Sequence, residues 1–432
     1  MSSLKNTANN EDLFNSCNRI LTECAKFNNI EIKVEEHPAL TFNNLIKTLS
    51  KINQVVILID EYDKPIIDNI DEEKTALQNK NFLRDFYSVI KDNDIYIKFC
   101  FLTGVSKFSK ISIFGGLNNI KDISLDLRYS TICGISKNEI EHYFSDRFFT
   151  LSQNLNIDVN SIKNKIRQWY NGYSWDGVNS VYNPFSILIF FDEGLFKNYW
   201  FSSGTPTFLI KKFKEINYNP EETNNFKVTD TFFDSFEIES FDYRSLLFQT
   251  GYLTISNLNK MDMIYTLDYP NKEVRESFLS HLLTLYIKKE AGDLRYTNLL
   301  LQTSLQNNDI TEFTSLIKSI VAGIPYQLHI PKEAYYHSLF YIILQLMGVR
   351  ILTEQSTAKG RIDGIIETSQ NIYIIELKYL DDKTNSETLL NKAINQIKKK
   401  EYFNPYFIKG KNIQLLAIAL NKDILEYKVE II

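Results

Sequence analysis

Apolar and polar positions alternate with different periods in different parts of the chain. Residues 11–29 repeat at helical spacing, with Leu13, Cys17, Ile20 or Leu21, and Cys24 on one face. A second helix is predicted from about Thr41 to Leu49. It leads into Val55-Val56-Ile57-Leu58-Ile59, five consecutive aliphatics that predict a strand buried on both faces, as in a parallel α/β sheet. Asp60 and Glu61 follow at its carboxyl end, where such sheets place ligands. A further strand, Ile95 to Leu102, ends in Thr103-Gly104-Val105-Ser106. From about Asn138 to Ile320 the pattern is mainly helical with aromatic punctuation. Within it, 169–175 and 181–186 are turn-rich, because Asn171-Gly172 and Asn183-Pro184 break helices. The polar stretch 218–225 reads as an exposed loop.

The C-terminal part returns to α/β patterning. Pro331 suits the first position of a helix running to about Met347, with Glu333 in its first turn and Gly348 as its stop. Val349 to Glu354 is the expected first strand, and Lys359-Gly360-Arg361 a basic turn into the strand of Asp363. After a polar break, Ile372 to Lys378 closes on Glu-x-Lys. Side chains alternate along a strand, so Glu376 and Lys378 share a face while Leu377 points into packing. An even-numbered loop, Thr368 to Asn371, pairs Asp363 directly with Glu376. A loop one residue longer puts Asp363 on the opposite face. Ser386 to Lys400 is amphipathic, with Leu389, Leu390, Ala393, Ile394 and Ile397 as its packing stripe. Gln396 falls within that stripe, where a polar group needs a partner. Lys398, Lys399 and Lys400 at its end either complement the helix dipole or contact phosphate. Ile413 to Leu420 supplies another buried strand.

At 432 residues the chain can hold two or three domains. No apolar run approaches the twenty or so residues of a membrane span, and the N-terminus lacks an apolar signal core, so neither membrane insertion nor secretion is expected. The four cysteines form no Cys-x-x-Cys pair, Cys17 and Cys24 are expected to share packing, and a reducing cytoplasm fits. The five histidines show no metal-ligand spacing, and His337 is expected to be structural. A net charge of −5 argues against a protein coated uniformly by nucleic acid. Residues 331–432 carry 14 Lys+Arg against 12 Asp+Glu, a balance of +2 that leaves −7 for residues 1–330.

Two carboxylates converging with a lysine suit a hard divalent cation such as Mg2+, with the lysine orienting water or stabilising phosphate charge. Asp363, Glu376 and Lys378 stand in the D…(D/E)-x-K positions of the PD-(D/E)XK nuclease superfamily, which this region resembles. The resemblance implies that Asp363 and Glu376 hold metal with the Leu377 carbonyl nearby, and that Lys378 positions or activates water. Gln396 and Tyr402 resemble the glutamine and later tyrosine of such nucleases, Gln396 orienting the cluster. It also makes Glu333, on the preceding helix, a weaker metal candidate; Glu354 lies either near the metal or in solvent.

Towards the N-terminus, 55–61 and 95–106 resemble the Walker B strand and sensor strand of AAA-type ATPases. In that family the residue at Asp60 helps hold magnesium and the one at Glu61 polarises the attacking water. Ile59-Asp60-Glu61-Tyr62-Asp63-Lys64-Pro65, with 199–206 and 246–254, resembles a bacterial AAA-ATPase-like family that carries a C-terminal PD-(D/E)XK domain. The likeness runs from about residue 40 to the C-terminus. The phosphate loop Gly-x-x-x-x-Gly-Lys-Ser/Thr occurs nowhere in the chain, and Gly104-Val105-Ser106-Lys107 lacks the second glycine and follows the wrong strand. ATP binding and autonomous hydrolysis are therefore not expected, and Asp60 and Glu61 read as retained strand-end acids.

The expected fold is α/β: a partial P-loop-NTPase-like parallel sheet (1–137), a helical lid or connector (138–320) and a restriction-endonuclease-like domain (321–432). The expected activity is Mg2+-dependent hydrolysis of nucleic-acid phosphodiesters, with DNA favoured. The alternatives are an AAA-type ATP-binding or regulatory protein that needs a partner, and a catalytically silent binding module.

Overall fold

A computed structural model describes residues 10–70, 72–105, 113–114, 119–200, 226–233, 242–286, 291–324, 333–347, 363–381 and 384–432. The expected loop at 218–225, the strand at 349–354 and the basic turn at 359–361 lie outside these residues.

In chain order the first elements are α1 (Asn10–Phe27), α2 (Pro38–Ser50), β1 (Val55–Ile59), α3 (Lys64–Ile67), α4 (Glu73–Asp92) and β2 (Ile97–Leu102). Next come β3 (Ile135–Ser136), α5 (Lys137–Tyr143), α6 (Ser145–Leu155), α7 (Val159–Tyr170), β4 (Asn171–Tyr173), β5 (Val181–Tyr182) and α8 (Pro184–Glu193). These are followed by β6 (Phe226–Val228), α9 (Tyr243–Gln249), β7 (Thr254–Asn259), β8 (Ile264–Asp268), α10 (Lys272–Tyr286), α11 (Ala291–Gln306) and α12 (Ile310–Ala322). The last are α13 (Glu333–Leu346), β9 (Gly364–Glu367), β10 (Asn371–Tyr379), α14 (Ser386–Lys400), β11 (Asn412–Leu420) and β12 (Leu425–Ile431). The chain divides into two compact units interleaved in sequence. One comprises Met1–Phe149, Asn171–Pro184 and Asn225–Pro270; the other Thr150–Tyr170, Phe185–Asn224 and Asn271–Ile432.

In the first unit β1 and β2 pair in parallel, Val56 opposite Phe99 and Ile59 opposite Leu102. Val55 and Ile57 are buried with Phe42, Leu45, Phe86 and Ile90 of α2 and α4. The other face differs from the expectation of double burial: Val56 is 52% exposed, Leu58 69% and Phe99 53%. Five aliphatics in a row set the hydrophobicity of both faces, but only tertiary packing decides which is covered. The stripe of α1 runs through Leu13, Cys17, Leu21 and Ala25, while Cys24 is exposed. Cys24 therefore does not share the packing of Cys17, because an i+4 stripe has rotated past it by the second turn.

The stretch expected to be mainly helical also contains two small antiparallel sheets, ordered β3-β5-β4 and β6-β8-β7. Asn171-Gly172-Tyr173 ends a helix as expected, but then becomes strand β4. Gly172 has φ +120°, and a Cβ there would lie 1.8 Å from the Pro270 carbonyl oxygen, so only glycine fits. Four of these six strands have only two or three residues, too short to show a period of two.

The second unit contains the C-terminal sheet, ordered β12-β11-β10-β9, with β10 and β11 parallel and the outer pairs antiparallel. On one face Leu390, Ala393, Ile394 and Ile397 of α14 pack on Ile365, Ile372, Ile374, Leu415 and Ala417. The opposite face of β10 meets α13 and the α11–α12 connection. The Tyr373 hydroxyl lies 2.9 Å from the Leu305 carbonyl and 2.8 Å from Asn308 Oδ1, and Gln414 Nε2 donates to the same Asn308 oxygen at 2.6 Å. A Cβ at Gly364 would lie 3.1 Å from the Leu344 side chain, which shows how closely α13 approaches β9. With both faces covered, Ile372, Tyr373, Ile374 and Ile375 are fully buried, each apolar side chain contributing ~1.5–3 kcal/mol.

Candidate functional site

The β9–β10 ladder pairs Glu367 with Ile372 and ends with Gly364 opposite Ile375; carrying that register one position further brings Asp363 level with Glu376. The Thr368 N–H donates to the Asn371 carbonyl at 2.9 Å, which fixes the hairpin in this even register. Counting rungs from that bonded pair, Asp363 and Glu376 occupy a non-hydrogen-bonded position, the kind that holds side chains closest. Beyond Gly364 the ladder gives way to a side chain: the Leu377 N–H donates to Asp363 Oδ2 at 2.8 Å. Because the N–H and C=O of a strand residue face the same neighbour, the Leu377 carbonyl also opens on the Asp363 side.

Glu376 is 1% exposed, and its Oε1 accepts a hydrogen bond from Lys378 Nζ at 2.7 Å. The two lie on the face under α14, as alternation along β10 requires. His337 of α13, which covers the other face of the sheet, brings its Nδ1 to 3.4 Å from Asp363 Oδ1. The expectation of a structural role for His337 did not include this contact. Burial, and then the carboxylates of Glu376 and Asp363, push the Tyr402 phenol up from its ordinary value, so its ring lies within the field of both acids.

Gln396 is half-buried on the flank of α14, beside the stripe rather than within it, and makes no hydrogen bond among the described residues. Glu333 is the first residue of α13, but its side chain is outside the described residues, as is all of Glu354. Lys398 pairs with Glu430 of β12, which favours the structural alternative for that lysine.

Among the described residues, no three His, Cys, Asp or Glu side chains are grouped closely enough to enclose a metal ion. The donor set nonetheless fits a hard divalent cation in kind: two carboxylates, a main-chain carbonyl and an imidazole nitrogen, with waters completing the shell of a magnesium-like ion. The Lys378 ammonium on buried Glu376 is a cation already held there.

In the first unit, Asp60 Oδ1 accepts from Thr103 Oγ1 at 2.6 Å, tying the ends of β1 and β2 together. Glu61 has φ +52°, an uncommon conformation outside glycine. The rest of the 59–65 signature packs. Asp63 is buried and accepts from the Val105 N–H at 3.2 Å, and the Tyr87 hydroxyl donates to the Tyr62 carbonyl at 2.9 Å. Asp60 and Glu61 thus stand at a strand end without a phosphate loop anywhere in the chain.

A helix-flanked mixed sheet with Asp and Glu-x-Lys at adjoining strand ends defines a PD-(D/E)XK nuclease superfamily domain. Residues 331–430 match that superfamily, and residues 1–114 match the AAA-ATPase-like family described as "Predicted AAA-ATPase". The chain is 36% identical over 377 residues to the "Uncharacterized protein in vnfD 5'region" of Azotobacter chroococcum mcd 1, an alignment covering 86% of this chain and 70% of the relative. It belongs to the same family as that protein: an AAA-ATPase-like region followed by a PD-(D/E)XK nuclease superfamily domain. No solved structure matches it. Among the described residues no helix is long and apolar enough to cross a membrane.

Sequence reasoning did not bring His337 next to Asp363. The available signal was its spacing of four residues from Glu333, one helical turn, on the helix that precedes the site strands.

Proposed function

We propose that the chain is a Mg2+-dependent nuclease that hydrolyses phosphodiester bonds, with DNA as the favoured substrate. The observation that supports it is the hairpin register, which ends with Gly364 opposite Ile375 one position short of Asp363 and Glu376, with the Leu377 N–H on Asp363 and Lys378 Nζ on Glu376. Asp363, Glu376 and the Leu377 carbonyl would hold the ion, and His337 is placed to join them or to orient Asp363. When bound, such an ion supplies positive charge against the scissile phosphate and acidifies the attacking water. Lys378 donates to that water or to a phosphate oxygen, and Tyr402 closes the apolar side of the cluster. Gln396 as an orienting residue has less support than Tyr402, because it touches neither acid among the described residues. The preference for DNA rests on family likeness alone.

Cleavage of linear DNA in Mg2+ by the full chain, with Lys378→Ala beside it, tests this reading. Loss of at least ~100-fold in rate is expected, the order associated with losing a general acid–base group. Equal cleavage by the two proteins would sink the proposal.

A second reading has one observation behind it. The Asp60–Thr103 bond keeps a nucleotide-site strand end in order, and the exposed Val56 and Leu58 leave room for a partner that brings a phosphate loop. ATP binding that appears only when such a partner is added would favour it; tight binding by the isolated chain would contradict it, because the chain has no phosphate loop of its own.

A further inference from the structure

Three tyrosines form a continuous aromatic ladder at the rim of the sheet, beside the carboxylates. The Tyr336 ring is stacked on Tyr379, with centroids 5.3 Å apart and planes 26° apart, and Tyr335 meets Tyr336 edge-on at 5.2 Å. The middle ring is 2% exposed, whereas Tyr335 and Tyr379 are each half-buried. Two short sequence steps tie this ladder to the site. Tyr379 follows Lys378 on β10 and therefore faces the α13 side of the sheet. Tyr336 precedes His337, the residue that touches Asp363.

The strand ends below are fixed. The Leu380 N–H donates to the Leu420 carbonyl at 2.9 Å, and Asn421 Nδ2 to the Leu380 carbonyl at 3.1 Å, so Tyr379 sits on a held strand end rather than a loose loop. The charges divide between the two sides of the rim. Lys378 lies on the α14 side, while Asp423, at the turn between β11 and β12, is paired with Lys422 Nζ at 3.0 Å. The lysine side suits a phosphate. The tyrosine side, lined by rings, suits an uncharged aromatic group.

We propose that Tyr379, backed by Tyr336, stacks the nucleobase adjoining the phosphate held at Lys378, and so directs the site to single-stranded DNA. The inference rests on the nuclease reading for the identity of the phosphate. A base inside a duplex has its faces covered by its neighbours, so an aromatic shelf beside the site is of use only to an unstacked base. One ring on one base is sequence-tolerant, because every base presents a π face.

The test is binding of a single-stranded DNA carrying 2-aminopurine, and of its duplex, to the full chain in calcium buffer after cleavage there is shown to be absent. Tyr379→Leu keeps an apolar side chain on Tyr336 but removes the π face, and Tyr379→Phe and Tyr379→Trp keep it. The expected result is single-strand binding roughly 5- to 150-fold weaker in Tyr379→Leu, the range for one base–aromatic stack, with duplex binding unchanged and the Phe and Trp variants like wild type. Urea midpoints establish that each variant is folded, and Tyr379→Met, which also lacks a π face, takes the place of the Leu variant if that one is not. Wild-type single-strand binding by Tyr379→Leu, equal losses on single strand and duplex, or a Phe or Trp variant as weak as the Leu variant would each overturn the inference. So would absence of single-strand binding by the wild type. The nuclease reading fails on a different measurement, the absence of Mg2+-dependent cleavage, which this fluorescence does not report.

Discussion

Replacing Lys378 with methionine separates a lysine that merely packs from one that stands where a metal would. In the structure Lys378 and Glu376 form an ion pair at 2.7 Å, with side chains 16% and 2% exposed. Removing one partner of a buried pair leaves the other charge uncompensated, at a cost of ~3–5 kcal/mol. The remaining exposure of Lys378 moves the expectation to the lower end, about 3 kcal/mol. For a unit of this size that corresponds to a fall in Tm of roughly 6–12 °C in EDTA. A divalent cation supplies the missing positive charge, so Mg2+ should recover part of the loss. If the wild-type site binds Mg2+ with Kd of ~1 mM, about 10 mM Mg2+ stabilises it by about 1.4 kcal/mol. If losing the competing ammonium tightens binding ~10-fold, the same Mg2+ stabilises Lys378→Met by about 2.7 kcal/mol. The assay is urea unfolding of both proteins with and without Mg2+, followed by cleavage, which the variant should lack. Equal stability of the two proteins in EDTA, or an equal Mg2+ effect on both, would refute the argument.

Tyr373→Phe removes the hydroxyl beside Leu305 and Asn308; unfolding should show a loss of ~0.5–1.5 kcal/mol, the net value of one hydrogen bond, because both acceptors keep another donor. Glu273 is buried, its Oε1 accepts from the Tyr199 and Trp200 N–H groups at 2.6 and 2.9 Å, and burial raises its pKa from 4.5. A raised folded-state pKa means stability is lost as pH rises above 4.5 through the folded value; urea midpoints should fall less steeply in Glu273→Gln over that window. Gly104→Ala puts a Cβ 2.5 Å from the Tyr62 ring and 2.7 Å from Asp63 Oδ1, and calorimetry should show ~1–3 kcal/mol of destabilisation.

The parts of the site that were legible in the sequence are those encoded by period. Alternation along 372–378 put Glu376 and Lys378 on one face, and the even loop gave the register that runs as far as Gly364 opposite Ile375, because in a hairpin register follows from counting. The stripe of α14 was readable for the same reason. His337 was not: its approach to Asp363 spans 26 positions and depends on how α13 docks against Gly364, a tertiary fact with no local pattern. Nor was the tie between the α11–α12 connection and the sheet, where Asn308, Tyr373 and Gln414 are polar residues scattered over 106 positions that reveal their purpose only when buried together. The exposed face of β1 was misread because hydrophobicity and coverage are separate properties.

Two buried carboxylates in the second unit show why the chemistry concentrates where it does. A buried acid is costly unless something compensates it, so each needs a physical reason to persist. Glu273 has a structural one: it accepts two main-chain N–H groups and holds the chain after α8. Glu376 lies on a strand whose backbone groups are already taken by the β11 ladder, and its Oε1 accepts from the ammonium of Lys378, two positions on. Compensation by a side-chain cation, beside a second acid whose own oxygen orders a strand end, is the arrangement that metal binding can exchange without disturbing the fold. Asp60 differs in that it is exposed and bonded to a threonine hydroxyl, so its presence at a strand end costs little and requires no chemistry to explain it.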